Sequence, residues 1–215
     1  SYALHFLDTN HVGVLSEVLK LSGEGFTVGA ASASGNMGIL QAWRNIRHGI
    51  KSCCVVVGTM ADLSPVELQA FHNCGALGGI SFANEPDQAC RPFDQDREGF
   101  IYGQGSACLV LESLESAEAR GAVILGEIAG GACCLDSNRL SDPSVDGEVR
   151  VMRMALEAAD CPLESVTYMN AHATSSVLGD QVEVDAIKKV FGGRIKDLMI
   201  NSTKGLTGHC LQAAG

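Results

Sequence analysis

Four side chains in this sequence have the types and surroundings for chemistry: Ser32, His172, Lys204 and His209. Ser32 lies in the run VGAASASGNMG (residues 28–38), where an apolar stretch gives way to small residues and then to an amphipathic segment over 39–47. That order presents a hydroxyl at the start of a helix, where unpaired backbone N–H groups favour negative charge. Read alone, the run also fits a tight turn in which Gly and Ala serve close packing. His172 lies in Asn170-Ala171-His172-Ala173-Thr174, followed by Gly179-Asp180; Lys204 and His209 lie in Asn201-Ser202-Thr203-Lys204-Gly205-Leu206-Thr207-Gly208-His209. Taken singly, each histidine also fits an ordinary hydrogen-bonded residue, and Lys204 a solvated charge. Together they offer a nucleophile position, two groups that titrate near neutrality and a fixed cation.

The elements that must position these residues follow from periodicity. Over 39–46 apolar residues recur at 39, 40, 43 and 46, a helical stripe that includes Trp43. Cys53-Cys54-Val55-Val56-Val57 is a continuous apolar run ended by Gly58, the pattern of a strand covered on both faces. Ser64-Pro65-Val66-Glu67 is a capping box with Pro at the first helical position, so a helix runs from Pro65 towards Phe71, and glycines at 75, 78 and 79 end it. A loop rich in turn residues then spans 78–96. Residues 107–111 read as a buried strand and 114–120 as a helix stopped by Gly121. Strands over 124–128, 167–170 and 198–201 alternate with helices over 147–159 and 180–191, which predicts α/β units with parallel strands. The loops bearing His172 and His209 follow the C-terminal ends of strands, where open α/β sheets place their sites. Residues 1–20 carry no helix start signal, and 211–215 read as the opening of a helix.

Three of these stretches, taken together, resemble signatures of the β-ketoacyl synthase (ketosynthase) family of the thiolase fold. Ala30-Ala31-Ser32-Ala33-Ser34-Gly35 is similar to TACASG; Asn170 to Thr174 with Gly179-Asp180 is similar to NAHGTGT with its following GD. Ser202 to His209 with Ala213-Ala214-Gly215 is similar to STKS-TGH with its following AAG. Arg91-Pro92-Phe93-Asp94, Gly99-Phe100 and Gly103-Gln104-Gly105-Ser106-Ala107 resemble the RPFD…GF…GEGA segment between them. The order and spacing match along essentially the whole chain. Ser32 departs from the pattern by standing where the family has its nucleophilic Cys, and Ala30, Ala173, Ser175 and Ser176 stand where it prefers Thr, Gly, Gly and Thr.

The resemblance implies an α/β, thiolase-like layered αβαβα fold, here incomplete: 1–120 as the remainder of an N-terminal half and 121–215 as the beginning of a C-terminal half. It implies catalytic roles at Ser32 (the nucleophile position), His172, His209 and Lys204, and substrate contacts at Phe93, Thr174, Thr203 and Thr207. The two histidines would donate hydrogen bonds to a thioester oxygen, and Lys204 would set their electrostatic surroundings; the family's acidic partner for that lysine is expected beyond Gly215. With Ser for Cys, acyl loading should fail while malonyl decarboxylation survives, because a serine hydroxyl is a far weaker acid than a thiol and needs a dedicated base. The chain therefore resembles the decarboxylating ketosynthase-like proteins of polyketide β-branching cassettes, which turn malonyl on an acyl carrier protein into acetyl. Three alternatives stay open: a condensing β-ketoacyl-carrier synthase, a non-catalytic partner like a chain-length factor, and a thiolase-type enzyme acting on coenzyme A esters. Implied partners are an acyl carrier protein that delivers its phosphopantetheine arm, a second copy in a homodimer paired through the strand at 53–58, and a 3-hydroxy-3-methylglutaryl synthase-like enzyme.

Bulk properties set the remaining expectations. A formal charge of −10 over 215 residues opposes nonspecific nucleic-acid binding. No run reaches membrane-span length and no leader pattern opens the chain, which predicts a cytoplasmic protein. Nine scattered cysteines without CxxC spacing read as small buried apolar residues in a reducing compartment, with no metal site. There is neither a phosphate-binding glycine loop nor a dinucleotide fingerprint, so no bound cofactor is expected.

Overall fold

The structure, a computed structural model, describes residues 9–138 and 142–215. Its helices are α1 (Asn10–Leu19), α2 (Ser34–Arg47), α3 (Pro65–Asn73), α4 (Leu114–Ala119), α5 (Val145–Ala158), α6 (Val177–Phe191) and the single turn α7 (Lys204–Thr207). The strands are β1 (Cys53–Gly58), β2 (Ala107–Glu112), β3 (Tyr168–Asn170) and β4 (Met199–Asn201). Serine caps explain several starts. Ser64 Oγ accepts the Glu67 N–H while the Glu67 carboxylate accepts the Ser64 N–H at 2.8 Å, the reciprocal box expected from the sequence. Ser113 and Ser144 likewise cap α4 and α5 through the N–H groups of Ser116 and Gly147.

The second half carries the better-formed core. Strands β3 and β4 pair in parallel, Tyr168 with Met199 through Asn170 with Asn201. Helix α6 covers them with Val182, Ala186, Ile187 and Phe191, a stripe of helical period. Ile187 is 1% exposed and, with Phe191 and Leu198, gathers Met152 from α5, Met169 from β3 and Ile200 from β4. The result is a sheet, a helix and a second helix in layers, with the two strand ends opening on one side.

Several expectations need correction. Strands β1 and β2 are antiparallel, Cys53 opposite Glu112 and Gly58 opposite Ala107. The chain leaves β1 and returns to β2 at the same end, so no crossover helix imposes a parallel pair. Nor is β1 covered on both faces: Cys53 is exposed, the rest half-buried, and most of β2 is exposed. Residues 124–128 form no strand; Leu125 is 94% exposed, so its backbone has no neighbour to pair with and its side chain no layer to enter. Helix α1 was not signalled because no side chain caps its N-terminus and none of its residues is fully buried. At the other end, 211–213 is a 3₁₀ turn with Leu211 at φ 52° rather than a helix start. All nine cysteines are free, and Cys53, Cys74, Cys108 and Cys133 are exposed, since the β1–β2 faces that carry two of them are open. The total accessible surface, 13848 Å², exceeds the roughly 9,500 Å² usual for a folded monomer of this mass. Among the described residues, no helix is long and apolar enough to cross a membrane.

Candidate active site

The run at 28–38 folds into a 3₁₀ turn over Ala31–Ala33 that leads directly into α2. Ala31 takes φ 47°, a left-handed backbone that few non-glycine residues adopt, and Ser34 ties the turn by donating to Ala31 O at 2.7 Å and accepting the Ala30 N–H at 2.9 Å. Residues 22–30 before it form no strand, so the turn joins irregular chain to helix. Gly35 is required at close quarters: a Cβ there would lie 3.1 Å from Gln212 O. The C-terminal turn over Leu211–Ala213 packs on the Ser32 turn. Ends of the chain distant in sequence thus meet at Ser32.

His172 and His209 stand at the C-terminal ends of β3 and β4. Asn170 and Asn201 close the two strands; Ala171 N–H donates to Asn201 O at 2.8 Å and carries the pairing one residue further. The imidazole rings are 5.4 Å apart and nearly perpendicular, at 87°. His209 is 3% exposed, and its Nε2 lies 2.9 Å from Ser32 Oγ. Phe100 packs edge-on against the other side of His209, at 5.4 Å, and Phe71 against Phe100 at 5.3 Å. Ser32, His172 and His209 are therefore brought together, with His209 touching both of the others.

The tautomer of His209 follows from what surrounds its other nitrogen. Nδ1 is buried and has no hydrogen-bond partner. A proton on Nδ1 would bury an unpaired donor, which costs about 1–3 kcal/mol; a bare lone pair there is the cheaper arrangement. The proton thus belongs on Nε2 and points at Ser32 Oγ, making His209 a donor to the space around the hydroxyl. Burial, then His172 and Lys204, hold the His209 pKa down at about 4, so the ring is neutral at physiological pH. His172 is also lowered to about 4, by burial first and Lys204 second.

Lys204 is 6% exposed, and burial lowers its pKa, while Glu183, Cys210, Cys90 and Asp180 act in the opposite direction. Of these groups Glu183 acts most strongly. Its carboxylate also accepts the N–H groups of His172 and Ala173, both at 2.7 Å. The i, i+3 spacing of Asp180 and Glu183 on the first turns of α6 is the signal in the sequence that could have found them. Asp180, 2% exposed, accepts the Phe93 N–H at 2.8 Å and faces Arg97 at 3.9 Å.

The four expected substrate contacts are placed less uniformly. Phe93 enters through its backbone, held at φ 66° by the bond to Asp180. Thr174, 8% exposed, donates to Ser176 Oγ at 3.0 Å. Thr203 is bound on both sides by the Asn170 amide, at 3.1 and 3.4 Å, and the Thr207 hydroxyl lies 3.3 Å from Thr203 O and 2.9 Å from Gly208 O. Thr203 and Thr207 are exposed. A separate apolar cavity of about 290 Å³, lined by Ala30, Ala33, Met37, Leu40, Ile128 and Cys133 among others, lies behind the Ser32 turn. Ser32, His172, Lys204 and His209 do not line that cavity. Among the described residues, no group of His, Cys, Asp or Glu is placed to hold a metal ion.

Comparison with known proteins agrees with this geometry. The sequence profile of the β-ketoacyl synthase N-terminal domain matches residues 8–117, and that of the C-terminal domain residues 125–215. The chain is 40% identical over its full 215 residues to the polyketide biosynthesis malonyl-ACP decarboxylase PksF of Bacillus subtilis, spanning 51% of that protein. It is 41% identical over 199 residues, 92% of this chain and 41% of the other, to the chloroplastic 3-oxoacyl-[acyl-carrier-protein] synthase I of Arabidopsis thaliana. Among solved structures, a type II polyketide ketosynthase in complex with its acyl-carrier protein superposes with a TM-score of 0.92 at 31% identity, over 97% of this chain and 52% of that one. A β-ketoacyl synthase from Burkholderia phymatum gives 0.89 at 36% identity, over 98% and 50%. The fold is thus thiolase-like, and the chain spans about half the length of the curated relatives it matches.

Proposed function

The chain belongs to the β-ketoacyl synthase family, and from that premise we propose that it serves polyketide biosynthesis by decarboxylating malonyl-acyl carrier protein to acetyl-acyl carrier protein. The observation that carries the reading is the Ser32–His209 pair: Ser32 Oγ stands 2.9 Å from Nε2, and Nδ1 has no partner. A base that activates serine needs an acceptor on its far nitrogen to hold the tautomer and balance the imidazolium. His209 has none, and its low pKa makes it a poor base besides. It is suited instead to donate.

The reaction then needs no nucleophile. The malonyl thioester oxygen takes the place beside Ser32 Oγ and accepts hydrogen bonds from His209 Nε2 and His172. The bond between the methylene carbon and the carboxylate breaks, carbon dioxide leaves, and the electron pair flows into an enolate whose oxygen the two donors stabilise. Protonation of the methylene carbon from solvent yields the acetyl thioester. Glu183 holds the His172 loop, and burial first, with Lys204 adding to it, keeps both rings neutral, so neither donor is lost to protonation near pH 7. The phosphopantetheine arm of the carrier would pass Thr174, Thr203 and Thr207, with Phe93 beside them; we take 1–120 and 121–215 as the two halves that enclose it. A homodimer and a 3-hydroxy-3-methylglutaryl synthase-like consumer of the acetyl group complete the proposal.

The test is incubation with malonyl-loaded carrier protein, followed by mass spectrometry of both proteins. Loss of carbon dioxide from the carrier with no acyl mass on the enzyme, abolished by His172→Ala and His209→Ala, is expected. An acyl mass on Ser32 or a condensed product would instead assign a condensing synthase, and no change in either protein a non-catalytic partner.

A further inference from the structure

We propose that Ser175 is a positioning residue for His172, bracing the His172 loop against the segment over 91–103 that also holds His209. Ser175 is fully buried at 0% exposure and sits at φ 73°, a backbone that glycine takes freely and serine resists. Both of its polar ends are used across the same seam. Its Oγ accepts the Arg91 N–H at 3.2 Å, and its carbonyl accepts the Gly99 N–H at 2.9 Å. Arg97 adds to the clasp by donating to Ser176 O at 3.1 Å and Val177 O at 2.7 Å.

The same segment reaches the other histidine. His209 N–H donates to Ile101 O at 2.7 Å, Gly103 N–H donates to His209 O at 3.0 Å, and Phe100 packs on the His209 ring. One stretch of chain therefore holds the loops of both donors, at 91–99 for His172 and at 100–103 for His209. The separation of two hydrogen-bond donors from one oxyanion is the quantity this brace sets, and a misplacement of about 1 Å can cost on the order of 100-fold in rate. Glu183 anchors His172 from the α6 side; Ser175 anchors the loop from the opposite side, three residues on.

The activity arm rests on the decarboxylase reading, so the experiment has a second arm that does not. In Ser175→Gly the strain is relieved and the hydroxyl lost, so the melting temperature should hold. The decarboxylation kcat should fall about tenfold with KM for the malonyl carrier unchanged. Ser175→Cys, close in size and still polar, should retain most of the rate. The second arm follows the His172 ring nitrogens by NMR: its protonation midpoint should rise from about 4 towards the ordinary histidine value when the loop is freed. An unchanged rate and ring signal, or a rate loss that merely tracks melting temperature in both Ser175 variants, would overturn the proposal. If the unaltered protein releases no carbon dioxide, the decarboxylase reading fails while the ring signal still decides the role of Ser175.

Discussion

At Ser32 the question is what an oxygen can do where a sulfur would be acidic. A cysteine starts near pKa 8.5 and a helix start lowers it by about one unit or more, giving substantial thiolate; a hydroxyl given the same help stays protonated. Ser32→Ala should therefore leave malonyl decarboxylation within about threefold of the unaltered protein, the spread expected when a near-neutral contact is removed. Ser32→Cys should gain a covalent acyl mass when offered an acyl carrier. A collapse of decarboxylation in Ser32→Ala would show the hydroxyl to be essential. Protonation separates two groups in opposite directions. His209, with a folded pKa near 4, is neutral where the unfolded chain already binds a proton, so its contribution to stability is full above about pH 6.5 and is lost as pH falls towards 4. Glu148, raised to about 7 by burial and by Glu183 and Asp136, binds a proton that the unfolded chain has released, so stability is lost as pH rises from about 4.5 through 7. Glu148→Gln should raise the urea midpoint at pH 8 and leave it nearly unchanged at pH 4.5; equal shifts at both values would mean that the charge is not the cause.

Among elements, α6 does the most for the site. Its buried stripe seats it on β3 and β4, while its first turns present Asp180 and Glu183 to the loops at 91–99 and 171–176. Truncating Ile187, which is 1% exposed at the centre of that packing, to Ala should cost about 2–5 kcal/mol. Chemical denaturation would measure it, and a loss below about 1 kcal/mol would mean the core collapses around the gap. The capping box at Ser64 and Glu67 and the existence of α5, α6, β3 and β4 were legible because each rests on local spacing. The helix α1 was not legible because no cap marks it, and the strand expected over 124–128 was an error of context: an apolar run becomes a strand only when a neighbouring edge accepts it.

At the scale of the molecule, the site exists because its two halves meet along one seam. Tyr102 bridges to His209, Gly99 binds Ser175, and Ser32 reaches His209 across 177 positions of sequence. Gly103 marks how close that approach is, since a Cβ there would fall 2.1 Å from Thr207 O. Gly103→Ala should cost about 2–3 kcal/mol through overpacking and reduce decarboxylation by more than its stability loss explains; unfolding scans beside rates at a temperature where the variant stays folded would check both. From its residues alone, the chain determined that Ser32, His172, Lys204 and His209 stand at loop ends of an α/β framework, because small-residue turns, caps and apolar periods act over a few positions. Only the tertiary structure decided that β1 and β2 run antiparallel, that the Glu183 carboxylate holds the backbone of the His172 loop, and that His209 Nδ1 is left unpaired. Those facts depend on distances between segments far apart in sequence, and they arise from packing, which no local pattern encodes.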